Sequence, residues 1–382
     1  ACRRDDAALV PNSTSAARGV GRPEHSMDAE NAGDSARADQ PRCPAAQRCL
    51  TMSELTTPEI SVIIPVYNAQ DWIGASVQSV LDQTYPREAL EVIVVDDGST
   101  DQSCVVAESL LKPAGTRYAI IKTKQEGPSR ARNIGWRRAR GPWIQFLDAD
   151  DLLHPRKIEI QAEAARSLPP EVAVVYSDWQ RLALRDQEWQ PVGAIVSPNI
   201  ESDPVADLLQ TENFIQIGSP LIRRSWLERV SGFDERYWLI EDVHLLLRIA
   251  MAGGKFYHVE SDTPLFFYRQ REAGSLSRRD QHEFVEGCVR NAQMVEEHWL
   301  NTTGLNPERR ELLLQVYSQA ARFFFEYDRL RFNDIYAKLL SLDRTYSPSG
   351  PSMLRLLSRW IGYPRAEAVA LAYRKLKRSM SA

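Results

Sequence analysis

The spacing of hydrophobic positions changes several times after Ile60, and each change predicts an element. The run "ISVIIPVY" (60–67) is a short β-branched segment closed by Asn68, and it predicts a buried strand. Ile73, Val77, Val80 and Leu81 then recur at i, i+4, i+7 and i+8, one face of a helix that stops before Pro86. "LEVIVVDD" predicts a second strand closed by Gly98, residues 102–111 a helix, and "YAIIKT" a third strand. Residues 129–140 predict another helix, ended by Gly141-Pro142; "WIQFLD" follows as a fourth strand and "VAVVYSD" (172–178) as a fifth. Strands alternating with helices imply right-handed crossovers and a mainly parallel sheet covered on both faces.

In a parallel sheet all strands end at one edge. "PVYN" (65–68), "DDGSTD" (96–101) and "DADD" (148–151) each follow a strand, so they should converge on one crevice, where open α/β sheets bind ligands. Asp148, Asp150 and Asp151 bring like charges together, and each disfavours ionisation of the next. A divalent cation such as Mg²⁺ or Mn²⁺ would reconcile them, since it prefers oxygen ligands. The competing reading is an acidic cap on a helix opening at "DDLLHP". A second acidic pair, Glu241-Asp242, stands at the head of the apolar helical run "WLIEDVHLLLRIAMAGG". The helix dipole favours charge there, so a proton acceptor and a simple cap both fit. His244, further along this helix, is expected on its surface. A P-loop and an EF-hand are excluded, because their spacings do not occur, and the lack of a G-x-G-x-x-G after any strand weakens a dinucleotide-binding reading.

Composition adds boundaries. Residues 1–57 contain no Phe, Trp, Tyr, Lys or Ile, too little apolar surface to offset ordering entropy; a disordered segment, or a start at Met52, is expected. The remainder suits a globular fold, with 43% hydrophobic residues in the whole chain. A net charge of −4 gives no reason to expect a nucleic-acid partner. Five scattered cysteines without a C-x-x-C pair indicate neither a disulfide framework nor a zinc site, and fit a reducing compartment. No run of 18 apolar residues and no apolar leader core is present, so a cytoplasmic location is expected. Residues 280–345 read as helices with little chemistry. The stretch 351–382 carries seven Lys/Arg against one Glu, mixed with Leu354, Leu356, Leu357, Trp360, Ile361 and Tyr363. It suits peripheral contact with an anionic membrane face, or a helix packed on the main domain with a solvated basic side.

"SVIIPVYNAQDWIGASVQSVLDQTYP", "EVIVVDDGSTD", "GPSRARNIGWRRARGPWIQFLDADD" and "GFDERYWLIEDVHLLLRIAMAG" resemble, in order, the blocks of the family 2 glycosyltransferases. The resemblance covers roughly residues 60–278. It implies an inverting enzyme of α/β class, with a GT-A-like, Rossmann-type, mainly parallel sheet flanked by helices. The nucleotide-sugar half would span 58–180, an acceptor and catalytic-base half 181–278, and a helical C-terminal region 279–382. The donor would be a nucleoside-diphosphate sugar, a UDP-sugar favoured, and the acceptor a hydroxyl of a glycan or lipid-linked glycan of the cell envelope. Mg²⁺ or Mn²⁺ would serve as cofactor.

Carried onto this sequence, the resemblance puts Pro65, Tyr67 and Asn68 at the nucleotide, with the Tyr67 ring stacking on the base. Asp97 would accept a hydrogen bond from the base while Asp96 closes its strand. Arg132 would support the diphosphate or the neighbouring acidic loops. Asp148 would lie against the ribose or the metal, Asp150 would ligate the metal, and Asp151 would complete the shell. Asp242 would be the general base, with Glu241 beside it. Arg271 stands where many relatives have a His; a guanidinium can neutralise the leaving diphosphate but cannot ligate a metal. Two rivals are nucleotidyl transfer, which wants a glycine- and lysine-rich phosphate loop, and a binding module that has lost catalysis. The intact acidic pairs speak against the second.

Overall fold

The computed structural model describes residues 57–270, 280–348 and 352–381; Arg271 and the segment 1–56 lie outside them. The chain opens with β1 (Ile60–Val66), α1 (Gln70–Leu81), β2 (Leu90–Asp96), α2 (Ser103–Ala114), β3 (Arg117–Lys122), α3 (Pro128–Arg138) and β4 (Trp143–Phe146). These match the alternation read from the hydrophobic pattern. β1 pairs in parallel with β2 on one side (Ile60 opposite Leu90) and with β4 on the other (Ile60 opposite Trp143). Its β-branched side chains are therefore buried on both faces, as its unalternating sequence requires. Helix α3 lies tight on this strand, because a Cβ on Gly135 would meet Ile63 Cγ2 at 2.2 Å.

The rest of the chain adds β5 (Leu152–Leu153), α4 (Lys157–Ser167), β6 (Val172–Ser177), β7 (Trp179–Arg185), β8 (Glu188–Val196), α5 (Pro204–Asp207), β9 (Leu221–Arg223), α6 (Arg224–Arg229), α7 (Glu241–Met251), β10 (Lys255–Val259) and β11 (Phe266–Gln270). The main sheet has seven strands in the order β10-β6-β9-β4-β1-β2-β3. Here the structure adds what the sequence concealed. β9 is antiparallel to both neighbours and has only three residues, too few to show a period. A second sheet, β5-β11-β7-β8, packs beside the first. Its hairpin turns at Asp186 and Gln187, both with positive φ (51° and 67°), a primed turn without the glycine that usually announces it.

Two expectations are corrected. No helix opens at "DDLLHP": Leu152 and Leu153 pair antiparallel with Phe267 and Phe266, and α4 begins only at Lys157, beyond Pro155. Asp151 therefore caps no helix. His244 is buried, not on the surface; its ring stacks on Tyr237 with centroids 4.0 Å apart, and Nδ1 lies 2.8 Å from Asn291 Oδ1. The covering face comes from the C-terminal region, which a reading of α7 alone does not contain.

That region consists of α8 (Gln281–Asn301), α9 (Pro307–Tyr327), α10 (Arg329–Leu342), α11 (Ser352–Ile361) and α12 (Tyr363–Ser381). Leu245, Leu246 and Ile249 of α7 share one buried cluster with Val289, Trp299, Leu313 and Phe324 of α8 and α9. Each such side chain removed from water contributes about 1.5–3 kcal/mol. Among the described residues, no helix is long and apolar enough to cross a membrane.

Candidate active site

At the carboxyl edge of the main sheet the strand order reverses, with β2 and β3 on one side of β1 and β4 on the other. A cleft of about 1410 Å³ opens there. Pro65, Tyr67, Asn68, Asp97, Arg132, Asp148, Asp150, Glu241 and Asp242 all line it. Arg271 lies outside the described residues.

The loops after β1 and β2 are tied together. The Asn68 N–H donates to Ser99 Oγ (3.0 Å), and Asn68 Oδ1 accepts the Thr100 N–H (2.9 Å). Asn68 sits at φ 47°, a conformation Asn tolerates better than most residues. Tyr67 is half exposed to the cleft. Asp96 accepts the Ser99 N–H (2.9 Å) and the Cys104 thiol (3.0 Å), closing the loop. Asp97 is buried and accepts the N–H groups of Glu126 (2.9 Å) and Gly127 (2.8 Å). Burial raises its pKa, against the pull of those two bonds. Asp97 thus fastens the segment leading into α3. Gly127 has φ 94°, and an added Cβ would meet the Trp238 ring at 3.2 Å, so Trp238 lies on bare backbone at the cleft wall.

The acidic turn after β4 is braced from behind. The Asp151 N–H donates to Asp148 O (3.0 Å), Ser76 Oγ donates to Ala149 O (2.8 Å), and the Arg269 N–H donates to Asp151 Oδ1 (2.9 Å). The Arg269 guanidinium donates to Asp150 O, to Trp72 O (3.1 Å) and to Ser76 Oγ (3.0 Å). It lies 5.4 Å and 5.7 Å from the Trp72 and Trp189 ring centroids. Asp148, Asp150 and Asp151 each offer an oxygen, all within 4.8 Å of one another. Asp151 is fully buried, and burial, then Asp150 and Asp148, push its carboxyl well above the usual range. Three crowded carboxylates, one costly to ionise alone, fit a hard divalent cation.

Arg132 joins this acidic set to the second one. Its guanidinium is 4% exposed; Nη2 donates to Asp148 Oδ1 (2.7 Å) and Nη1 to Glu241 Oε1 (2.6 Å). Burial opposes its charge, but Asp148 and then Glu241 outweigh that and hold the proton more firmly than water does. The residue preceding the pair, Ile240, sits at φ 54°, a strained position for a β-branched side chain. Helix α7 therefore starts with Glu241 and Asp242 already in its first turn, and Ile240 at the N-cap makes no side-chain cap bond. Asp242 Oδ1 accepts the Val243 N–H (2.8 Å). Among the described residues its carboxylate takes no side-chain hydrogen bond, whereas Glu241 is held by Arg132. Burial, then the Glu241 charge, push Asp242 up to about 7, against the Val243 N–H and Arg132.

Several lining residues were not anticipated. Arg269 buttresses the acidic turn from β11, a strand whose partners become visible only with the second sheet. Trp238 and Tyr268 add aromatic walls, and Phe284, Cys288, Asn291 and Gln319 bring α8 and α9 to the cleft. The sequence signals for these were the place of Trp238 just before Glu241-Asp242 and of Tyr268 and Arg269 just before Arg271. The helices carried none, because their cleft residues are ordinary amphipathic positions.

Comparison with known proteins bears on this geometry. An uncharacterized glycosyltransferase of Rickettsia felis is 45% identical over 103 residues, 27% of this chain but only 16% of that protein's length. The succinoglycan biosynthesis protein ExoO of Rhizobium meliloti is 26% identical over 337 residues, covering 82% of this chain and 93% of its own. The crystal structure of TarS 1-349 of Staphylococcus aureus in complex with UDP-GlcNAc shares the fold, with a TM-score of 0.59 at 19% identity over 83% of this chain and 92% of that one. The model of Glycosyl transferase family 2 matches residues 61–230. Over those residues, the chain is similar to glycosyl transferase family 2.

Proposed function

We propose that the protein transfers a sugar from a nucleoside-diphosphate sugar to a hydroxyl of a cell-envelope glycan, with inversion at the anomeric carbon. One observation carries this reading. Two acidic sets about 90 positions apart in sequence meet in a single cleft, bridged by buried Arg132. UDP is the favoured nucleotide, since the TarS structure that shares the fold holds UDP-GlcNAc. The acceptor class follows the naming of ExoO for succinoglycan biosynthesis.

The exposed Tyr67 ring offers a face for the base, in a loop whose shape Asn68, Asp96 and Asp97 fix. Asp150 and Asp148 would hold Mg²⁺ or Mn²⁺, with Asp151 behind them. Such a cation, when bound, neutralises charge on the departing diphosphate. Arg132 keeps Asp148 and Glu241 oriented and leaves Asp242 as the carboxylate able to receive the acceptor's hydroxyl proton. Strained Ile240 turns that carboxylate into the cleft at the start of α7. A general base placed this way contributes about 10²–10⁴-fold in rate. Trp238 and the α8 and α9 residues form the opposite wall, where an acceptor glycan would lie.

The test is a panel of UDP-, GDP- and dTDP-sugars, scored for rise in melting temperature and for turnover, with and without EDTA. Ligand binding raises apparent stability by mass action, about 2.7 kcal/mol at a hundredfold excess over Kd. At least one UDP-sugar should stabilise the protein, and EDTA should remove both that gain and turnover. If no nucleotide sugar shifts the melt, or the shift is indifferent to EDTA, the donor site or its metal is wrong.

A further inference from the structure

The last two helices carry apolar side chains on two sides. Inward, Leu354 of α11 and Tyr363, Ala366 and Leu371 of α12 are buried. The Tyr363 ring packs 5.6–6.0 Å from those of Tyr346, Tyr336 and Phe332. The Tyr363 contacts hold α12 against α10, and α11 packs on α12. They do not account for the outward side. Met353, Leu356 and Trp360 recur at i, i+3 and i+7 along α11 and are 68%, 54% and 81% exposed. Val369, Tyr373 and Leu376 recur at i, i+4 and i+7 along α12, and each is more than half exposed. Lone exposed apolar residues are ordinary, but two aligned stripes on consecutive helices are not.

The charge around these stripes selects the occupant. Arg355, Arg359, Arg365 and Lys375 are exposed on the same helices. The single carboxylate of the pair, Glu367, is fully buried and accepts from Arg374 Nη2 at 2.8 Å. The outward sides of these two helices therefore present cations and apolar groups with no exposed acidic side chain of their own. A protein surface would need acidic residues interleaved with an apolar groove, whereas a bilayer bearing anionic headgroups supplies both complements over a flat area. Trp360, the most exposed large aromatic of the stripes, suits the headgroup boundary, where an amphipathic ring is favoured.

We infer that α11 and α12 form a peripheral membrane-docking surface, with Met353, Leu356, Trp360, Val369 and Tyr373 entering the headgroup layer and the flanking Arg and Lys residues engaging anionic lipid. The inward contacts hold the pair on the domain while the outward stripes meet the bilayer, so the membrane reading and the packing reading of this stretch hold together. The inference does not depend on sugar transfer.

The full-length protein is to be sedimented with vesicles of 70% phosphatidylcholine and 30% phosphatidylglycerol, and with pure phosphatidylcholine, at about 0.1 M NaCl. Binding to the anionic vesicles and little to the neutral ones is expected. Each basic contact is worth roughly fivefold in affinity, so Arg355→Glu with Arg359→Glu should weaken binding at least tenfold, and 0.5 M NaCl should do the same. Trp360→Ser with Leu356→Ser should weaken it while leaving the melting temperature within a degree or two, because both side chains are exposed. Absence of binding to anionic vesicles overturns the inference, as does binding that both variants retain. A concentration-dependent dimer abolished by Trp360→Ser, with no vesicle binding, would assign the stripes to a second copy of the chain instead.

Discussion

Asp242 and Glu241 are neighbours with opposite surroundings, and the difference decides their chemistry. Glu241 is pinned by Arg132, while Asp242 holds only the Val243 N–H among the described residues. Burial, then the Glu241 charge, place its pKa at about 7. A base with that pKa predicts a transfer rate that rises with pH through about 7 as the carboxylate forms. The same shift bears on stability. The unfolded carboxyl ionises near pH 4, the folded one near 7, so the folded state binds the proton more tightly and loses stability as pH rises between those values. Asp242→Asn removes this loss and can still accept the Val243 N–H. Its melting temperature should equal wild type at pH 4 and exceed it by a margin that grows to pH 7 and then levels. Melting curves across that range check this, and a constant difference would contradict the shift. At this scale the sequence displayed the acidic pairs but not their bridge. Arg132 was legible only as a candidate for the site, whereas its two partners depend on a fold that brings α3, β4 and α7 together.

Among the elements, those that the chain announces locally were legible. β1, β2, β4 and β6 are mostly apolar runs without alternation, and α1 shows a clear helical face. β9 and the second sheet were not, because their strands are short, half exposed or turned without glycine. The acidic turn was misread as a possible helix start because only the pairing of Leu152 and Leu153 with β11 identifies it as a strand. The contact of α3 with β1 yields a prediction at this scale. Gly135→Ala sets a methyl 2.2 Å from Ile63 Cγ2, so α3 must lift from the sheet and carry Arg132 with it. Overpacking of this kind costs about 1–3 kcal/mol, and the melting temperature should fall by a few °C. Turnover should drop together with it. A variant that melts and turns over like wild type would show that the α3–β1 contact does not set the position of Arg132.

For the molecule as a whole, the site is a property of the assembled chain rather than of one stretch. The edge proposed to hold the donor comes from β1, β2 and β4, the acidic pair from α7, and part of the cleft wall from α8 and α9, whose apolar faces complete the core beneath α7. This explains why residues 280–345 read as chemically silent: they contribute packing and shape, which a linear pattern does not display. In the proposed transfer Asp242 receives the acceptor's proton, while the edge formed by β1, β2 and β4 only binds the donor. The most direct test is the transfer rate of Asp242→Asn beside Glu241→Gln, with donor affinity measured on the same preparations. Asp242→Asn should lose about 10²–10⁴-fold in rate with donor affinity unchanged, and Glu241→Gln should lose less. A wild-type transfer rate in Asp242→Asn would contradict this role, and a larger loss in Glu241→Gln would move the base by one residue.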